Sequence, residues 1–441
     1  MSINLRGGGE YSKLLHLGES NRNFLDLLCA TGLAFCPILQ YYVGPFENMG
    51  ISILMAVMPW IALRLIYKLV RIATIPRGGT TVVIGLIAFL LYRSFVHELS
   101  GKNILFNLAL IVLYLAAING CVNVRQFLRT SAAVAATASV LVVIQTASYY
   151  LLHYHIQLAP TSLFIPEASA WILQAKTGII GVTQRVGKLY RPSAFFMEPS
   201  HMFLYTFPHL CLMLLSPNIN RARIRWAILF SIGIVLCTSG MGVVVTAGMW
   251  GLHYAMSSGR KNQLRIRNML KPRNFIPVLF FLTALIGAFI AVPVVRQSVL
   301  RFLDMSESGA IAGRTRLATN LLRSLRGKRL LLGVTNTVEG IEFNMSGFAA
   351  TLYKFGVVGV ILGFWTYVYG VLRLKNAWFW ISLIVVAVSF FSAQTHGTFY
   401  MIYYVFFIME GWDHARLDKA SAAAAALEAR RNVNGKVGNT I

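Results

Sequence analysis

The stretch Arg185-Val-Gly-Lys188-Leu-Tyr-Arg191-Pro-Ser-Ala-Phe-Phe-Met-Glu198-Pro199-Ser-His201 packs three cations, one carboxylate and one imidazole into a short window. A membrane-length apolar run follows it directly. Glu198 opens that run, where an unpaired charge would cost several kcal/mol. Something nearby must hold it, and Arg191 is the nearest cation. Glu198-Pro199 also reads as a helix start. Proline is tolerated in the first turn, and a carboxylate there favours the positive end of the helix dipole.

Working outward, the apolar run is one of many. The 441 residues are 56% hydrophobic and only 12% charged, with a mean hydropathy of +0.63. A soluble domain carries about twice that charge fraction. Several runs approach the ~20 apolar residues that cross a bilayer. The expected fold is an all-α polytopic integral membrane protein of about twelve transmembrane helices. The spans lie near 24–43, 49–69, 80–97, 104–121, 131–153, 198–215, 224–239, 241–257, 275–293, 348–370, 376–393 and 398–411. The seventh and eighth either meet at a tight Ser239-Gly240 turn or form one long kinked helix. No cleaved signal is expected at the N-terminus, because the first twenty residues are polar.

Lysine and arginine set the orientation. An inside N-terminus (1–23) places Arg64, Lys68, Arg71, Arg77, Arg125, Arg129, Arg221, Arg223, Arg225, Arg373 and Lys375 in the cytoplasm. The dense cluster Arg260 to Arg273 lands there as well. The expected domain is a membrane unit over 24–411, followed by a cytoplasmic tail over 412–441 that reads as a short alanine-rich helix and then disorder. Two long loops, near 154–197 and 294–347, fall outside and are basic against the topological preference. Such placement points to an anionic ligand, with anionic headgroup contact as the alternative for the second loop. That loop carries Leu317, Leu321, Leu322 and Leu325 at helical spacing, with Arg316, Arg323 and Arg326 on other faces. The net charge of +25 is thus membrane- or substrate-directed. With no soluble domain of any size, nucleic acid is not an expected partner.

The five cysteines, Cys29, Cys36, Cys121, Cys211 and Cys237, lie in or beside apolar runs without metal-ligand spacing. They read as small buried hydrophobes, and neither a metal nor a cofactor is expected. Ionisable residues near the spans are sparse. Asp26 reads as a stabiliser of a helix N-terminus, Arg93 and Lys354 as snorkelling cations, and His253 as a packing residue. His201 stands one turn from Glu198 and either makes a structural hydrogen bond or joins a site.

Arg191-Pro-Ser-Ala-Phe-Phe-Met-Glu198-Pro-Ser200, after a long outer loop and at the start of a span, resembles the Arg-x-x-Ser-x-Phe-x-Glu-Pro signature of Wzy-type polysaccharide polymerases. These belong to the O-antigen polymerase and ligase superfamily. Further similar elements follow in order: Thr238-Ser239-Gly240, Gly313-Arg314-Thr315-Arg316, Leu332-Gly333-Val334, and Asn344 with Leu352-x-x-x-Gly356-Val-Val-Gly359. The ligases carry a histidine before that asparagine, where this chain has Phe343, so the resemblance is to the polymerases.

What the resemblance implies is a GT-C-like, metal-independent membrane glycosyltransferase in the bacterial cytoplasmic membrane, both termini inside. It would join undecaprenyl-pyrophosphate-linked oligosaccharide repeat units at the outer face, toward O-antigen, capsule or exopolysaccharide. A flippase and a chain-length regulator of the same pathway are its implied partners. Catalytic roles would fall to Glu198, Arg191, Arg314 and His396, the last in the outer turn Gln394-Thr-His-Gly397 and otherwise an exposed loop histidine. Substrate would be bound by Arg185, Lys188, His201, Ser239, Arg316 and Asn344. Arginine suits pyrophosphate because it stays charged and grips phosphate oxygens in pairs. A ligase and a lipid-linked oligosaccharide flippase or transporter are the alternatives.

Overall fold

The computed structural model describes residues 24–46, 48–71, 80–96, 101–154, 161–165, 191–215, 221–237, 239–257, 319–334 without 321, 347–365, 376–391 and 399–411 without 401, with a few single positions besides. Among these the chain is almost entirely helical (85%), and no strand is formed. The helices are α1 (Phe24–Leu39), α2 (Met49–Arg71), α3 (Thr80–Val96), α4 (Gly101–Ile118), α5 (Val124–Leu152), α6 (Pro199–Leu215), α7 (Arg221–Leu236), α8 (Gly240–Ser257), α9 (Gly347–Val360), α10 (Asn376–Phe391) and α11 (Ile402–Gly411). A one-turn helix, Lys328–Leu332, precedes α9.

Among the described residues three stretches are long and apolar enough to cross a membrane: Met49–Val70, Val124–Leu152 and Gly347–Phe364. Shorter apolar helices accompany them, among them Phe24–Leu39, Val83–Phe95 and Ile104–Ile118. The chain is a helical membrane protein. α5, at 29 residues, would run for about 44 Å against a hydrocarbon core of about 30 Å. It starts at Val124, earlier than the apolar pattern predicts, because the Asn123 side chain caps it by accepting from the Gln126 amide at 3.0 Å.

Cross-helix contacts fix the directions. α1 and α2 run antiparallel: Gly50 packs on Cys36 and Gln40 at one end, and Asp26 pairs with Arg64 at the other. α6 opposes α1, with the Tyr205 hydroxyl on the Ala34 carbonyl at 2.7 Å. It opposes α5 as well, with His209 on Ser131 at 3.1 Å. α8 lies parallel to α6, where Cys211 meets Met249 and His253 meets the Leu214 carbonyl at 2.7 Å. Lys68 donates to the Asn119 carbonyl, so α2 and α4 end on the same side. Asn107 donates to Ser94 at 2.7 Å, which turns α3 against α4. The described helices therefore run to and fro between two ends.

Polar chemistry divides between those ends. Arg64, Lys68, Arg125, Arg129, Arg223 and Arg225 lie at one, on the last turns of α2 and the first turns of α5 and α7. Arg191, Glu198, His201 and Ser239 lie at the other.

The core between the ends holds an aromatic ladder. His201, Tyr205 and His209 recur every fourth residue on α6, so they share a face. Tyr400, Tyr403 and Phe407 oppose them in parallel. The Tyr205 and Tyr403 rings stack with centroids 4.9 Å apart. The Tyr403 hydroxyl donates to the Tyr205 carbonyl at 2.6 Å, and Tyr400 donates to the His201 carbonyl at 3.0 Å. Each hydroxyl thereby finds an acceptor in a fully buried site, where a lone donor would be expensive.

The expected span over 348–370 starts as α9 but is interrupted. Gly356 takes φ 64° and ψ −168°, a region open essentially to glycine alone. Gly333, with φ 86° and ψ −171°, does the same opposite it. A β-carbon on Gly356 would collide with the Leu331 carbonyl, and one on Gly333 with the Lys354 carbonyl. The close approach lets Val334 donate to the Tyr353 carbonyl at 3.0 Å. A small second core, Leu325, Ala349 and Tyr353, seals this unit apart from the main one. We call the unit, Leu322–Val334 with the first half of α9, the cap.

Candidate functional site

The site grows from the start of α6. Glu198 is its N-cap: the amides of His201 and Met202 donate to the Glu198 carbonyl at 3.1 and 3.2 Å. Pro199 takes the first helical position, as the sequence predicts, because the amide it lacks would have had no partner there. The Glu198 carboxylate accepts from the Ser200 hydroxyl at 2.5 Å and lies within electrostatic reach of Tyr400.

The approach to α6 is held by groups far away in sequence. Ala194 has φ 53°, and its amide donates to the Gln145 side chain of α5 at 2.9 Å. The Gln145 side-chain nitrogen in turn donates to the Ile156 carbonyl at 3.0 Å. The Tyr42 hydroxyl donates to the Phe195 carbonyl at 2.5 Å. Tyr42 also pairs in a β-bridge with Phe164, flanked by backbone bonds from Val43 to Leu163 and from Ile165 to Tyr41, both 2.9 Å. The end of α1, the first long loop and the entry to α6 are thereby tied together.

His201 is 2% exposed. Its ring stacks on Tyr41, centroids 4.6 Å apart and planes 5° apart. The Tyr41 hydroxyl stands 3.4 Å from Nε2, a contact across the ring faces that is weaker than an in-plane hydrogen bond. Ser239 caps α8, its hydroxyl accepting from the Gly242 amide at 3.4 Å. α7 stops at Leu236 and α8 starts at Gly240, so the Ser239-Gly240 turn joins two separate helices. Cys237, in that turn, reaches the Pro199 carbonyl at 3.5 Å, and the half-buried Arg191 guanidinium lies within its electrostatic reach.

Four predicted residues, Arg191, Glu198, His201 and Ser239, therefore converge at one end of the bundle. Arg185, Lys188, Arg314, Arg316, Asn344 and His396 lie outside the described residues. The two glycine motifs also meet: Leu332-Gly333-Val334 is the partner of Leu352-x-x-x-Gly356.

Sequence reading missed Tyr41, Tyr42, Gln145, Tyr400 and His209. Tyr41 and Tyr42 end the first apolar run, where aromatic residues favour the membrane border. Gln145 and His209 are polar residues deep in apolar runs, and such residues flag function or structure. Asp26, read as a helix-end stabiliser, does lie in the first turn of α1. It is also ion-paired with Arg64 and accepts from the Trp60 indole at 2.9 Å. His253 is a buried, hydrogen-bonded packing residue as predicted, and all five cysteines are buried.

Chemically, the arrangement offers a carboxylate at a helix start and a guanidinium nearby, with phenols around them. Among the described residues no three His, Cys, Asp or Glu side chains are grouped to hold a metal ion. The chain matches no protein-family model and no curated protein. Fold and site define a helical membrane protein with a mixed-charge polar cluster at one end.

Proposed function

We propose that the chain is a Wzy-type polymerase that joins lipid-pyrophosphate-linked oligosaccharide repeat units at the outer face of the bacterial cytoplasmic membrane. The observation that carries this reading is the position of the Arg191-to-Glu198 motif. It opens α6 at the end of the bundle opposite Arg64, Lys68, Arg125, Arg129, Arg223 and Arg225. Cations in short connections favour the cytoplasm, so the motif faces out, where flipped repeat units arrive. On this reading the chain spans the membrane about twelve times with both termini inside.

The acceptor is a hydroxyl of one lipid-linked unit, and the donor is the anomeric carbon of another. Glu198 orients that hydroxyl and takes its proton as the oxygen forms the new glycosidic bond. The bond from the anomeric carbon to the pyrophosphate oxygen breaks, and undecaprenyl pyrophosphate leaves with the electron pair. Arg191, with Arg314 and Arg316 of the second loop, offsets the charge on that leaving group. His201 and Ser239 shape the floor, the first fixed by its stack on Tyr41 and the second by its cap on α8.

His209, about 15 Å below the start of α6 by helical rise, is the observation most favourable to a transporter. It is enclosed by Phe230, Tyr403 and Phe407 and bonded to Ser131. These contacts make it a core residue.

Reconstituting the purified chain in liposomes with undecaprenyl-pyrophosphate-linked repeat units tests the proposal. A ladder of lengthened glycans, with release of undecaprenyl pyrophosphate, is expected. Units that cross the bilayer without being joined would contradict it.

A further inference from the structure

The cap carries a surface that the proposed chemistry does not use. Arg326, Lys328 and Arg329 are exposed. Next to them Leu330, Leu331 and Leu332 are 39%, 54% and 37% exposed. Leu325 is buried in the small core and anchors the segment from behind. Three bare leucines and two bare cations on one turn of helix, with the bare Arg326 just before it, suit neither water nor a protein core. They suit the border of a membrane, where apolar side chains enter the acyl region and cations meet phosphates.

The position agrees. The Tyr92 hydroxyl, on the last turns of α3, donates to the Leu332 carbonyl at 3.2 Å and to the Phe355 carbonyl at 2.9 Å. The leucines therefore stand level with the end of an apolar helix. Beside Tyr92, Leu91 and Phe95 are themselves 43% and 77% exposed. Arg93 sits over the Phe355 ring at 5.9 Å, adding a cation at the same level. The glycine clasp of Gly333 and Gly356 holds the turn there.

We propose that the turn Arg326–Leu332 is a seat for anionic phospholipid: Leu330, Leu331 and Leu332 enter the acyl border while Arg326, Lys328 and Arg329 bind headgroup phosphates. The seat fixes the cap on the membrane at the end of the bundle that also holds the polar cluster. It concerns bulk lipid and stands whether or not the chain is a polymerase.

The test uses a single reporter. All five native cysteines are buried, so bimane can be placed on L331C in the full-length protein in nanodiscs. Quenching is compared between spin-labelled phosphatidylglycerol and spin-labelled phosphatidylcholine, and against aqueous iodide. The expected result is lipid quenching that favours phosphatidylglycerol, a preference reduced at least roughly fivefold in R326Q/K328Q/R329Q, since each surface cation near anionic lipid contributes about that factor. The three side chains are exposed, so this variant retains the fold, checked by unchanged quenching by phosphatidylcholine. Quenching by iodide alone, equal quenching by the two lipids, or a preference that survives the triple substitution would each overturn the proposal. So would a preference for added farnesyl pyrophosphate over phosphatidylglycerol.

Discussion

The imidazole of His201 lies flat on the phenol of Tyr41, centroids 4.6 Å apart, although 160 residues separate them in the chain. The stack joins the first turn of α6 to the loop after α1, and Glu198 sits three residues before it. Stacked pairs contribute about 1 kcal/mol beyond their buried area. Tyr41→Ala is expected to lower the thermal midpoint of the detergent-solubilised protein and to shorten glycan products. Tyr41→Phe, which keeps the ring, is expected to retain most of both, as read by differential scanning fluorimetry and product gels.

The clasp between Gly333 and Gly356 makes a sharper prediction. Gly356→Ala adds a methyl where the Leu331 carbonyl already stands and strains a backbone of φ 64°. The cost is roughly 2–4 kcal/mol, concentrated in the cap. Hydrogen exchange of residues 325–334 should accelerate in the variant while that of α6 stays slow. Unchanged exchange across 325–334 would contradict the clasp.

At the opposite end, Asp26 serves Arg64 and Trp60 together. Removing one partner of such a pair leaves a poorly solvated charge, so Asp26→Ala is expected to cost about 1–3 kcal/mol. Arg64→Ala should cost less on its own, because Asp26 keeps the indole donor. A double-mutant cycle by thermal unfolding should show coupling, with the double variant milder than the sum.

Ser131 donates to the Leu128 carbonyl at 3.1 Å, and its oxygen is hydrogen-bonded to His209 Nε2 at 3.1 Å. Ser131→Ala alone strands a buried ring nitrogen at an expected cost of about 1–3 kcal/mol. Adding His209→Phe removes the stranded group and should recover part of the loss. A midpoint for the double variant below that of Ser131→Ala would refute the Ser131–His209 hydrogen bond.

Much of this arrangement can be read from residues in sequence. Glu198-Pro199 marks the start of α6 because a proline amide is not missed there. Ser239-Gly240 marks a reversal because serine caps and glycine turns. Of the leucine face read in the second loop, Leu325 is buried and Leu322 half-buried, with Arg323 and Arg326 exposed, while Leu317, Leu321 and Arg316 lie outside the described residues. Other features depend on partners that no local pattern names. The run from Gly347 to Phe364 is apolar apart from Lys354 and reads as one helix. Only the approach of the Leu331 carbonyl, 25 residues upstream by sequence number, shows why residue 356 breaks it. Asp26 is legible as a first-turn carboxylate, whereas its pairing with Arg64 depends on how α1 lies on α2. Tyr400 enters the site because α11 runs parallel to α6, a relation fixed by packing between distant segments.

The central claim is that Glu198 and Arg191 serve glycan joining at the outer face. It is tested most directly by glycan length in cells whose only copy carries Glu198→Gln or Arg191→Ala, with membrane expression matched to the unmodified chain. The account predicts that long chains vanish while lipid-linked single units persist and face outward. Normal chain lengths in both variants, or single units held on the cytoplasmic side, would contradict it.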